Sequence, residues 1–182
     1  MTKMQMINMF DFLEECETWV FDIDFVCCYF RYFNRQNVKI FLSRFVKIGL
    51  IERLYKGFYA NPRSKCRPIY PLEHIASILR HKETFYLSLE TLLSEEGLIS
   101  QIPNRLTFIS QGRSQVLKTT YGIIEFVHTS THFDLSDENY FFYNQKRGIY
   151  EAKPQRAIDD LYRHNRCIDL YEEQLQKDAL YD

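Results

Sequence analysis

Ten lysine and arginine side chains crowd the stretch from Arg31 to Arg67, where Glu52 is the sole acid. That gives the stretch a net charge of +9, in a chain of 182 residues whose total is -1. Cations at this density form a field that draws in a polyanion. Four weaker constellations could do other chemistry. Glu151-x-Lys153 follows a strand-like run, and with Asp134 or Glu125 upstream it has the makings of a Mg²⁺-dependent nuclease site. In such a site carboxylates hold the ion and the lysine orients the attacking water. His128-x-x-x-His132 would hold a metal only on a helix, and Thr129-Ser130-Thr131 between the two is poor helix material. His164 and Cys167 stand three apart with no further zinc ligand beside them. No metal site is therefore expected. Glycine-rich phosphate loops and nucleophile elbows are absent, so nothing calls for a cofactor and an enzyme is the minority expectation.

The basic stretch needs an element to present it. At 100° per residue, Val38, Phe41, Leu42, Phe45 and Ile48 gather on one side of a helix, while Arg35, Gln36, Lys39, Ser43, Arg44 and Lys47 gather on the other. Ile40 and Val46 fall at the polar face. Asn34 is placed to cap the first turn and Gly49 to end the last. Two short apolar runs follow around Lys56-Gly57, a pair of residues suited to a tight turn. Helix, stop, strand, basic turn and strand is the wiring of a winged helix-turn-helix. Its second helix enters the major groove of DNA and its wing touches phosphates. Arg35, Gln36 and Asn37 stand at the end of the helix that meets base edges, where arginine forks to guanine and the amides to adenine. Lys39, Arg44 and Lys47 along the helix, with Arg53 and Lys56 on the wing, suit the phosphates, and Ser43 shares their DNA-binding face. Such a face is more often simply solvated, and a winged helix can also serve as a protein-docking adaptor that never meets DNA.

Stepping along the chain, residues 1–30 carry Lys3 against six acids, and the three prolines between Asn61 and Pro71 read as a linker. Helices are expected near 6–18, 22–31 and 34–48 before it. After it the pattern predicts helices near 71–81 and 88–96, strands at Leu106–Ser110, Lys118–Gly122 and Ile123–His128, and one long helix from Pro154 to about Gln176. The expected fold is α+β, with a winged helix-turn-helix over 1–62, a linker over 63–70 and a mixed α/β partner domain over 71–182. No run free of charged residues is long enough for a membrane span or a signal-peptide core. Five cysteines without C-x-x-C spacing read as free thiols, so a cytoplasmic protein is expected.

Several segments resemble the AbiEi antitoxins of type IV toxin-antitoxin systems. Asp22-Ile23-Asp24, the run Phe41-Leu42-Ser43-Arg44-Phe45-Val46-Lys47-Ile48-Gly49-Leu50-Ile51-Glu52-Arg53 and Lys56-Gly57-Phe58-Tyr59-Ala60-Asn61-Pro62 look like that family's N-terminal winged helix. Tyr86 to Gln101, Thr119 to Phe126 and Ala152 to Leu161 look like its helix and turn, its strand pair and its closing helix. The resemblance spans roughly residues 20–165. It implies an autorepressor that binds double-stranded operator DNA through the first domain. It also implies that the second domain counteracts a nucleotidyltransferase toxin encoded nearby.

Overall fold

The computed structural model describes residues 1–179, and the chain divides into two compact units, Met1–Pro71 with Lys118–Thr120, and Leu72–Leu117 with the residues from Tyr121 onward. The architecture is α+β, with seven helices and two sheets among the described residues.

The first unit opens with α1 (Lys3–Glu15). Thr2 accepts from the Gln5 amide while the Gln5 side chain returns a bond to Thr2, so two amides left over at the helix start are satisfied together. β1 (Val20–Asp22) follows, a strand too short to stand out in the sequence. α2 (Ile23–Tyr29) is capped by Asp22, whose carboxylate accepts from the Phe25 amide at 2.7 Å. α3 (Arg35–Lys47) starts at Asn34, which accepts from the Asn37 amide at 2.8 Å. At its far end Gly49 takes φ +67°, a left-handed conformation that suits a residue without Cβ. The Leu50 amide reaches back to Phe45 and the Gly49 amide to Val46, which closes the helix with Leu50 and Phe45 both buried. β2 (Glu52–Tyr55) and β3 (Phe58–Ala60) complete a three-stranded antiparallel sheet in the order β1-β3-β2.

Val38, Leu42 and Phe45 of α3 are buried in a core shared with Met6, Met9, Phe10 and Leu13 of α1. Each such side chain contributes about 1.5–3 kcal/mol by leaving water. The expected stripe is shorter than the wheel suggested, because Ile48 caps the helix end and is 65% exposed, and Phe41 is half-buried. Ile40 is exposed, in keeping with its place on the polar face.

The first residues of the expected linker, Arg63 to Cys66, are tied to the first unit. Asn61 is buried and accepts from the Arg63 amide, and the Glu14 carboxylate at the end of α1 accepts from the Lys65 amide and the Cys66 thiol. Ser64, Cys66 and Lys65 together hold the Glu14 carboxyl below its ordinary value.

After Asn61 the chain forms α4 (Pro71–Leu79), β4 (Phe85–Leu87), α5 (Leu89–Glu95), β5 (Leu106–Ser110), β6 (Gln115–Thr119), β7 (Gly122–His128), β8 (Phe141–Asn144), β9 (Ile149–Ala152), α6 (Pro154–His164) and α7 (Ile168–Asp178), the elements of the second unit apart from Pro71 and the last two residues of β6. The mixed six-stranded sheet runs β6-β7-β5-β4-β9-β8. The β5–β7 and β4–β9 pairs are parallel, and β4–β5 and β8–β9 are antiparallel. Two expectations change here. The strand placed at 118–122 lies at Gln115–Thr119, since Thr120 and Tyr121 make the turn. The single helix placed from Pro154 to Gln176 is two, because Asn165 and Cys167 both adopt left-handed backbone angles between α6 and α7.

A buried polar knot ties α6 to the sheet. Asp160, fully buried, accepts from Tyr86 and Ser88 at 2.9 Å each and pairs with Arg156 at 3.1 Å. Burial is the main reason the Tyr86 hydroxyl is driven far above its ordinary pKa, and the Asp160 charge adds to it. All five cysteines are free thiols. Among the described residues no helix is long and apolar enough to cross a membrane.

Candidate nucleic-acid interface

All nine residues singled out for DNA are solvent-exposed: Arg35, Gln36, Asn37, Lys39, Ser43, Arg44, Lys47, Arg53 and Lys56. They do not all share one surface. Arg35, Lys39, Ser43 and Lys47 recur every fourth position, so they stand above one another along one side of α3, a ridge about 18 Å long at 1.5 Å per residue. This ridge and the wing residues Arg53 and Lys56 line one cleft of about 700 Å³. Gln36, Asn37 and Arg44 are exposed on α3 but do not line that cleft.

The wing is held in place by its own backbone. Tyr55 and Phe58 face each other across the Lys56-Gly57 turn, and Gly57 takes φ +86°. The Gly57 carbonyl then accepts the Ile23 amide at 2.9 Å, which pins the turn to the start of α2. A Cβ on residue 57 would meet the Ile23 side chain at an ordinary 3.9 Å, so the backbone angle, not crowding, makes glycine fit here.

Two acids also line the cleft, and charge counting along the chain gave them no role in it: Asp22 and Asp24. Asp22 is committed to the α2 cap. Asp24 forms an ion pair with Arg35, Oδ1 to Nη1, with a second contact from Oδ2 to Nη2 at 3.5 Å. The Arg35 hydrogen bond is the chief reason that the Asp24 carboxyl lies below its usual range. The signal for this pair was weak in the sequence, since the partners are eleven residues apart on different helices.

The alternative chemistries are arranged differently. Glu151 is buried and accepts from Arg147 and from Asn144, each at 3.0 Å. The same guanidinium bridges Glu95 at 2.6 Å and Glu73 at 3.2 Å, so an arginine stands among the carboxylates that a cation would need. Burial pushes the Glu73 carboxyl up from its ordinary value. Lys153 lies at the cap position of α6 and donates its amide to Tyr140 at 2.7 Å. Glu125 pairs with Arg105 and Arg166, and Asp134 accepts from Ser136. His128 ends β7, with its ring nitrogen 2.9 Å from the Gly112 carbonyl, and His132 lies in the loop beyond. The Cys167 thiol donates to Glu90. Among the described residues no group of three His, Cys, Asp or Glu side chains is placed to hold a metal ion.

No family model matches this chain, and no curated protein matches it either.

Proposed function

We propose that the first unit binds double-stranded DNA, with α3 lying in the major groove and the Lys56-Gly57 turn against the neighbouring backbone. The observation that carries this reading is the cationic ridge Arg35, Lys39, Ser43 and Lys47, exposed along α3 and joined in one cleft by Arg53 and Lys56. Lys39, Lys47, Arg53 and Lys56 are phosphate contacts, and Arg35 at the first turn reads a base edge. With the motifs quoted above, the fuller reading is an AbiEi-type antitoxin that represses its own operon. Its second unit would then counteract a nucleotidyltransferase toxin encoded nearby.

Electrophoretic mobility shifts with duplex from the region upstream of the gene, taken across a salt series, test the DNA reading. Those four phosphate contacts give a slope of log affinity against log salt of about -3.6. A flat salt response, or no retention of duplex at low salt, would remove it. Co-expression with an adjacent nucleotidyltransferase, scored for growth rescue, tests the antitoxin role separately.

A further inference from the structure

The structure assigns Asp24 a part in that DNA reading: we propose that it is a positioning residue that reserves Arg35 for a guanine edge and keeps it off the phosphate backbone. The inference rests on the DNA reading of the cleft. Arg35 and Asp24 remain 52% and 66% exposed as side chains, so the pair stands at the solvent face of the cleft and not in the core. Asp24 engages the two terminal nitrogens, which leaves the Nε edge of the guanidinium outside the pair. Arginine carries five N–H donors in a rigid fork. It can therefore keep Asp24 on one side while Nε and an Nη hydrogen offer two parallel donors to guanine O6 and N7.

Charge explains why base and backbone are treated differently. A guanine edge is neutral and tolerates a carboxylate next to the arginine. A phosphate carries a full negative charge, and in this cleft it meets an Arg35 whose charge Asp24 offsets, with Asp22 as a further acid, so the attraction that an unpaired Arg35 would exert is cancelled. Lys39, Lys47, Arg53 and Lys56 line that cleft too, and among the described residues none of the four forms an ion pair with a carboxylate, which suits them to phosphates. Discrimination thus arises from withholding one cation from the sequence-independent part of binding.

Asp24→Asn keeps the size of the side chain and removes its charge, at a position exposed enough to leave the core untouched. The full chain and this variant are each bound to a pool of random-sequence duplexes over a salt series, and the retained duplexes are sequenced. Asp24→Asn is expected to bind the pool roughly threefold more tightly, with a salt slope steeper by about 0.9, and to lose guanine preference at one position. In an Arg35→Ala background the same substitution should leave the slope unchanged, because no arginine remains to be released. Weaker pool binding by Asp24→Asn, or an unchanged slope with an unchanged preference, would overturn the proposal while leaving DNA binding intact. If the parent chain retains no duplex at all, the DNA reading falls and this inference falls with it.

Discussion

Arg35 and Lys56 line the same cleft but differ in what surrounds them. Arg35 leaves the first turn of α3 with its guanidinium held by Asp24, whereas Lys56 tops a turn fixed by the Gly57 carbonyl. Replacing each by alanine should therefore give different signatures. Arg35→Ala is expected to lower discrimination at one base position by roughly tenfold and to change affinity for random duplex little. Lys56→Ala should weaken every sequence alike and flatten the salt slope by about 0.9. Quantitative mobility shifts on matched and mismatched duplexes separate the two. Equal losses on all sequences for Arg35→Ala would return that residue to the backbone contacts. The exposure of Arg35 was legible from the wheel, because the burial of Val38, Leu42 and Phe45 dictates which way the opposite face turns, and that of Lys56 from its place beside Gly57 in a tight turn. The Asp24 partnership was not, since it depends on how α2 and α3 cross and leaves no spacing signal.

At the level of the element, α3 was readable because its limits are written in local chemistry: Asn34 supplies an acceptor at one end and Gly49 a left-handed residue at the other. Gly49→Ala places a Cβ on φ +67°, where nothing lies within 4 Å to clash, so its cost is that of the backbone angle alone. The expected loss is about 1 kcal/mol, read as a lower urea midpoint with an unchanged slope. A loss several times larger would mean that the turn into β2 is disturbed as well. The strands that went unread have the opposite character. β4 and β8 have three and four residues, and their runs Phe85-Tyr86-Leu87 and Phe141-Phe142-Tyr143 show no alternation. β4 acquires its parallel partner β9 from more than sixty positions away. Asn165 and Cys167 break the last helix without a glycine or proline, and part of what holds Cys167 there is its thiol bond to Glu90.

Across the whole molecule, a net charge of -1 conceals a first unit whose acids and bases are sorted along the chain. The acids of α1 are not idle in this arrangement, for Glu14 gathers the segment that leads out of the unit. That segment carries Arg63 before Ser64 and Lys65 before Cys66, two bonds that trypsin cuts when the backbone is extended and accessible, whereas Arg67 precedes Pro68 and is not a trypsin site. A single carboxylate thus holds the backbone next to both bonds, and the expectation is that it latches them against digestion. The native chain should survive brief trypsin treatment at these positions, and Glu14→Ala should be nicked there several times faster, giving two fragments by mass spectrometry while the melting temperature shifts little. Equal nicking of both proteins would show that the latch is ornamental.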